Sequence, residues 1–265
     1  MAWSKPKPIA QAVRAVFSQG ATELLSQVRR LVEENYGLKP GNNVNLICQK
    51  LANGDLPEGV YAECGVFQGT TLFTVATFLK NIGSDRRLVG FDSFEGFPNS
   101  EIDYRDAPQF FGELLDKELI TEEHYRKAAE RTADFTDTSH LQGEYFLDVK
   151  SVFDIADRFE NVRLVKGAFS DSLQNFDEPI AVLFLDCDLY QSYIDCLGAL
   201  YDQVVPEGVV IFDEYYSLKY PGACWAVAEF FADRPGVFEV YHTDEGFQRW
   251  CFTKPPRGDI ETRRS

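Results

Sequence analysis

Four acidic residues stand just past two apolar runs. Asp186 and Asp188 follow Ala181–Leu185 in LFLDCDLYQS, and Asp213 and Glu214 follow Val209–Phe212 in VVIFDEYYS. If the two runs are neighbouring parallel strands, their ends lie about 5 Å apart. Carboxylates crowded at that range repel, so either protons are retained or a hard divalent cation sits among them. Oxygen-only ligands favour Mg²⁺, with Ca²⁺ or Mn²⁺ as alternatives. Asp186 and Asp213 together are the first candidates to hold it. For any single acid the plain alternative is a helix cap, Asp188 ahead of Leu189–Leu197 being one case.

A second set of residues suits a nucleoside. In VYAECGVFQGTTL, at Val60–Leu72, an apolar strand runs into Glu63, breaks at Gly65 and reopens as a helix after Gly69. Glycine lets a backbone approach a ligand closely, and the first N–H groups of the new helix face anionic charge. In FDSFEGFP, at Phe91–Pro98, the next strand ends in Asp92, with Glu95 beyond it. An acid in that place is where α/β nucleotide binders hold ribose hydroxyls. The succession points to an adenosine-containing cofactor. Gly65-Val-Phe-Gln-Gly69 is not G-x-G-x-x-G, which argues against a dinucleotide.

To bring both sets to one rim, the chain needs a parallel sheet. Apolar runs predict strands at Val60–Cys64, Leu88–Phe91, Val162–Lys166, Ile180–Asp186, Gly208–Asp213, Val237–His242 and Phe247–Thr253. Helices fit Thr70–Lys80, Val152–Phe159, Tyr190–Val204 and Ala223–Ala232. Alternation of this kind predicts a doubly wound, mostly parallel seven-stranded sheet covered on both faces. Only HTDEG separates the last two strands, too little for a crossover, so they form an antiparallel hairpin. Five parallel strands closed by a hairpin outline the class I methyltransferase, Rossmann-like fold.

Ahead of the sheet, apolar residues at threes and fours predict helix over 8–36, divided near Gly20, and a short helix at Val44–Leu51. The division expected is a helical segment at 1–58, the main domain at 59–254 and a tail at 255–265. The N-terminal helices are expected to pack on the sheet or on a partner subunit, a homodimer being one outcome. Between the second and third strands lies an insertion, Asn99–Glu160, with 16 acidic and 7 basic residues. Helical pieces are expected at Gln109–Leu119 and Thr121–Arg131, and a loop of this length beside a site is commonly a lid. His124 and His140, both within it, have no carboxylate or cysteine at metal-ligand spacing and are expected to be exposed.

Composition narrows the partners. With 45% hydrophobic and 14% aromatic residues the 265-residue chain can bury a full core. The net charge of −16 disfavours nucleic acid and anionic membrane, which need clustered cations. Six cysteines without a C-x-x-C pair suit reduced core thiols, and MAWSKPKP has no apolar core of signal-peptide length. A soluble cytoplasmic protein acting on a small molecule is the expectation.

The ordered blocks AECGVFQGTTL, FDSFEGFP, KGAFSDSL, LFLDCDLYQS and GVVIFDEYYSLKYPGACWAVAEFF resemble the TylF/macrocin O-methyltransferase family over roughly residues 45–254. The resemblance implies S-adenosyl-L-methionine (SAM) as donor, Mg²⁺ to hold acceptor hydroxyls, and O-methylation of a sugar or another natural product. By motif, Glu63, Gly65 and Gly69 belong to the SAM turn, with the Thr70 and Thr71 hydroxyls at the methionine carboxylate. Asp92 and Ser93 fall at the ribose, and Gly167, Ala168, Phe169 and Ser170 near the adenine. Asp186, Asp213 and Glu214 match the metal ligands, with Asp186 also beside the cofactor. Asp188 matches the base, His242 being a second candidate for that role. Tyr190, Tyr215 and Tyr216 are candidates to line the acceptor pocket. Glu214 stands where the family has a second aspartate, and Phe67-Gln68 replace its Trp-Arg. Rival readings are a metal-independent methyltransferase, a SAM-binding module without catalysis, and a nicotinamide-dependent oxidoreductase.

Overall fold

The computed structural model describes residues 19–41, 43–52, 56–97, 102–131, 148–244 and 247–256. The N-terminal helix α1 runs Gln19–Tyr36 without the division expected near Gly20, and α2 covers Val44–Ala52. The apolar stripe of α1, Leu25, Val28 and Val32, is buried with Val44, Leu46 and Ile47 of α2. Both helices pack onto α3, Thr70–Asn81, so they complete one face of the central layer rather than stand apart from it.

Strands β1 (Val60–Cys64), β2 (Leu88–Asp92), β3 (Val162–Lys166), β4 (Ile180–Leu185) and β5 (Val204–Tyr216) are mutually parallel. β6 (Val237–Asp244) and β7 (Phe247–Thr253) form the expected antiparallel hairpin, and the sheet order is β3-β2-β1-β4-β5-β7-β6. Every residue of β1 and β4 is buried, as strands covered on both faces require. β3, at the edge, is only half-buried. The order reverses direction between β1 and β4, the switch point where doubly wound sheets open a crevice at the carboxyl ends of their strands.

Crossover helices α6 (Val149–Ala156), α8 (Tyr190–Leu200) and α9 (Pro221–Phe231), with the short α7 (Phe169–Ser172), flank the sheet. α8 is shorter than expected: the chain tightens into a 3₁₀ turn at Tyr201–Gln203 and enters β5 at Val204, ahead of the predicted Gly208.

Within the insertion, 3₁₀ turns at Tyr104–Asp106 and Pro108–Phe110 lead into α4 (Phe111–Asp116) and α5 (Glu122–Arg131). Phe110, Phe111, Leu114, Ile120 and Ala128 make a small separate core with Leu218 and with Cys224 of α9. Asp106 fixes the entry: its Oδ1 accepts the Tyr190 N–H at the start of α8 at 2.7 Å, and its Oδ2 accepts the Asp103 N–H at 3.0 Å. Gly222 of α9 admits this carboxylate, since a Cβ there would sit 2.0 Å from Asp106 Oδ1. The cap that Asp188 offered as the plain alternative is supplied instead from 84 residues upstream. Asp188 itself has φ 60° and makes no cap to α8, whose N-cap residue is Leu189.

His124 is a second correction. It is buried, with Nε2 2.9 Å from the Ser217 carbonyl and its ring 4.2 Å from that of Tyr216. The neutral ring serves as a packing residue under α5. His140, residues 1–18 and 257–265, and the side chain of His242 lie outside the described residues.

Candidate active site

The rim is built by register. Gly65 N–H donates to the Phe91 carbonyl, Asp186 N–H to that of Cys64 and Gly167 N–H to that of Asp92, each within 3.0 Å. Four strand ends are thereby locked level. Gly65 has φ 91°, and a Cβ on it would lie 1.7 Å from the Asp186 carbonyl oxygen. Only glycine lets β1 turn so close to β4. The turn between Gly65 and Gly69 is held by Asp92, whose Oδ2 accepts the Phe67 N–H at 2.8 Å and whose Oδ1 accepts the Phe94 N–H at 2.6 Å. Phe67 and Phe94 have φ of 49° and 53°. One carboxylate thus clamps two left-handed phenylalanines, one from each loop of the site, and keeps a lone pair on each oxygen.

These loops enclose a cavity of about 290 Å³. Its wall includes Glu63, Gly65, Thr70, Thr71, Asp92, Ser93, Gly167, Ala168, Phe169, Asp186 and Asp188, all singled out from the sequence. Gly69 and Ser170 stand behind it; Gly69 is the left-handed N-cap residue of α3, with φ 79° and no side-chain cap. Tyr190, Tyr215 and Tyr216 do not line it. Tyr190 lies under Arg105, 4.1 Å from ring centroid to guanidinium, and the Tyr216 hydroxyl accepts the Thr121 N–H at 3.2 Å, so both hold the insertion. Val66, Phe94, Phe97, Cys187 and Ser192 line the cavity without having carried a signal in the sequence beyond their neighbours.

Glu63 is buried at the cavity floor, where burial pushes its carboxyl up to about 8 against the pull of the Tyr61 hydroxyl and the Leu72 N–H. The Tyr61 hydroxyl donates to its Oε2 at 2.5 Å. Four acids therefore line the wall, with no Lys, Arg or His among the described residues there.

Asp186, Asp213 and Glu214 converge, with one oxygen of each within 4.8 Å of the others. Neighbouring strand residues ordinarily face opposite sides. A bulge resolves this: Phe212 pairs with Trp250 and Tyr216 with Gln248, so three residues of β5 stand against Arg249 alone. Burial first, then the Asp213 and Asp188 charges, push Asp186 well above the usual carboxylate range. Burial and the same cluster raise Glu214 likewise. A hydrogen bond from Glu214 offsets part of that rise at Asp186. Tyr193 donates to Glu214 Oε2 at 2.8 Å, and Arg249 Nε donates to Asp213 Oδ1 at 2.7 Å. The donor set, all oxygen and on one rim, fits a hard divalent cation.

Asp188 is pushed up to about 7 by burial, against the Lys219 ammonium and a Tyr220 hydrogen bond. Lys219 Nζ donates in turn to the Tyr220 hydroxyl at 2.7 Å. Sequence reasoning passed over Arg249, Tyr193, Tyr220 and Lys219. The available signal for Arg249 was its being the one cation inside the apolar strand FQRWCF.

Sheet order, hairpin and rim site define the class I methyltransferase fold, and solved structures share it. The O-methyltransferase NovP superposes with a TM-score of 0.53 at 22% identity, over 80% of this chain and 78% of that one. The calicheamicin methyltransferase CalS11 gives 0.51 at 19% identity, over 90% and 94%. The TylF (macrocin-O-methyltransferase) family model matches residues 147–244, a span holding three of the five sequence blocks, and the resemblance drawn from those blocks is borne out. The chain is 27% identical over 239 residues to the mycinamicin III 3''-O-methyltransferase of Micromonospora griseorubida, covering 89% of this chain and 85% of that protein. It is 28% identical over 185 residues to the 8-demethyl-8-(2,3-dimethoxy-alpha-L-rhamnosyl)-tetracenomycin-C 4'-O-methyltransferase of Streptomyces olivaceus. That match takes in 68% of this chain and spans 61% of the relative's length.

Proposed function

We propose that the protein is a SAM-dependent O-methyltransferase acting on a hydroxyl of a sugar or another natural-product acceptor, with a divalent cation, Mg²⁺ in the first instance, at Asp186, Asp213 and Glu214. The observation that carries the cofactor is the lining of the cavity: four acids on its wall and no cationic side chain among the described residues. A wall without cations offers a pyrophosphate no counter-charge, while its carboxyl oxygens can accept from an ammonium, which favours SAM over a dinucleotide. Bound there, SAM supplies a methyl group already activated for transfer. A divalent cation held by the three carboxylates supplies Lewis acidity to an acceptor oxygen.

The chain's own residues do the rest. Asp92 and Ser93 take the ribose side, Gly167, Ala168, Phe169 and Ser170 the adenine side, and Thr70 and Thr71 the carboxylate end. Asp188 would accept the acceptor's O–H proton, which leaves that oxygen nucleophilic toward the methyl group SAM would supply. Near pH 7 a carboxylate poised at about 7 is well matched to that transfer. His242, at the end of β6, is the second candidate. The insertion, packed over β5 and α9, limits water at the acceptor side. Free buried cysteines suit a reducing cytoplasm, and self-association through the N-terminal helices is testable by light scattering.

Calorimetry with S-adenosylhomocysteine, followed by turnover on a panel of deoxysugar glycosides with Mg²⁺, tests the proposal. No binding of S-adenosylhomocysteine, the demethylated product of SAM, would end it. The Arg249–Asp213 ion pair favours one rival, a metal-independent methyltransferase with Asp188 as sole base. Activity unaffected by EDTA and by Asp213→Asn would select that rival.

A further inference from the structure

We propose that Asn43 is a positioning residue for the carboxylate end of the cofactor, its amide turning the Thr71 hydroxyl into the cavity as a donor. The proposal rests on the assignment of the cavity to SAM. Asn43 precedes α2, far in sequence from the strand–turn–helix unit that forms the wall. Its Nδ2 lies 3.3 Å from Thr71 Oγ1, while its Oδ1 lies 3.0 Å from the Val44 N–H. The second contact decides which end of the amide faces Thr71: the carbonyl oxygen is engaged by a backbone donor, so the NH₂ end meets the hydroxyl.

A hydroxyl has one proton and two lone pairs. With a lone pair of Thr71 engaged by Asn43, its proton is directed elsewhere. Threonines deeper in α3 spend theirs on the helix, Thr74 donating to the Thr70 carbonyl at 2.6 Å and Thr77 to that of Phe73 at 2.7 Å. Thr71 is in the first turn, where the residue four earlier, Phe67, still belongs to the loop. Among the described residues no protein carbonyl takes the Thr71 proton. Thr71 lines the cavity, beside the start of a helix that has no side-chain cap.

The consequence follows from the charge of the wall. With no cationic side chain among the described residues lining it, a ligand carboxylate depends on neutral donors: the first N–H groups of α3 and hydroxyls aimed the right way. Asn43 sets one of those aims, and so ties the N-terminal helices to cofactor recognition.

The test is calorimetry on the full chain with two ligands, S-adenosylhomocysteine and 5′-methylthioadenosine, which shares the nucleoside but lacks the amino-acid carboxylate. Asn43→Ser retains a capping oxygen for α2 yet falls short of Thr71. It is expected to weaken S-adenosylhomocysteine about three- to tenfold, the range of one hydrogen bond, and leave methylthioadenosine within about twofold. Asn43→Asp, which can only accept and adds negative charge, weakens S-adenosylhomocysteine further. In a Thr71→Val background the Asn43→Ser change becomes silent. Equal weakening of both ligands, or an unchanged affinity for S-adenosylhomocysteine, overturns the role of Asn43 and leaves the cofactor assignment standing. Failure of the unaltered chain to bind S-adenosylhomocysteine overturns the assignment itself.

Discussion

Arg249 of β7 reaches across the β5 bulge to Asp213, with Nε 2.7 Å from Oδ1 and Nη2 3.4 Å from Oδ2. One of the three converging carboxylates therefore has a counter-charge built into the sheet. An added cation would share Asp213 with it.

Arg249→Met removes that counter-charge and leaves a half-buried acid cluster without it, a loss on the order of 3 kcal/mol. In EDTA the melting temperature is expected to fall by roughly 5–10 °C. Millimolar Mg²⁺ should then recover more stability in the variant than in the parent, because more negative charge awaits it. Thermal melts with and without Mg²⁺ decide the point; an identical Mg²⁺ response in both proteins would show that Arg249 and the cation do not compete.

Asp92 is expected to be as much a structural clamp as a ligand group. Asp92→Ala frees the N–H groups of Phe67 and Phe94, whose positive φ values then lose their restraint. Each lost bond to a charged group costs about 1.5–3 kcal/mol. S-adenosylhomocysteine affinity should fall more than about tenfold, with Asp92→Asn, which keeps one acceptor oxygen, in between. If Asp92→Ala binds as tightly as the parent, the loop pair does not depend on this carboxylate.

The insertion should loosen in acid at one end and tighten at the other. Burial holds His124 down to about 4 from its ordinary 6.5. Its stabilising effect is present above about pH 6.5 and is lost as pH falls toward 4. Asp106 works in the opposite sense, pushed up to about 6 by burial. Its contribution is complete below 3.8 and is lost as pH rises through about 6. Hydrogen exchange at pH 7.5 and pH 5, each rate divided by the intrinsic rate at that pH, should show lower protection in Glu122–Arg131 at the lower pH. His124→Gln, which does not titrate, should abolish that difference.

Tyr220→Phe keeps the ring and removes the hydroxyl between Lys219 and Asp188. Turnover should drop about tenfold with KM little changed, as expected for a group acting through the base. Steady-state kinetics on an accepted substrate would read this directly. A raised KM at constant turnover would instead assign Tyr220 to acceptor packing.

Much of the architecture was legible because each strand is a short apolar run bounded by glycine or acid, and the strand ends named their own rim. Asp186 and Asp213 could be paired in advance because parallel neighbours bring their carboxyl ends together, as β4 and β5 do. What escaped depends on contacts distant in sequence. Arg249 meets Asp213 across 36 residues and Asp106 caps α8 across 84, and no periodicity encodes either. Asp188 was a plausible cap by position, yet its left-handed backbone turns it elsewhere. His124 was read as exposed because it has no carboxylate or cysteine at metal-ligand spacing; the Tyr216 and Phe111 rings and the Ser217 carbonyl, distant or unmarked in sequence, explain its burial.

The Asp106–Gly222 fit reaches beyond stability. Because the segment between β2 and β3 plugs into a notch on α9 that no larger residue than glycine leaves open, it behaves as a cassette with a keyed socket. Grafting the corresponding stretch from a relative, as one would to exchange acceptor preference, should succeed only when plug and socket travel together.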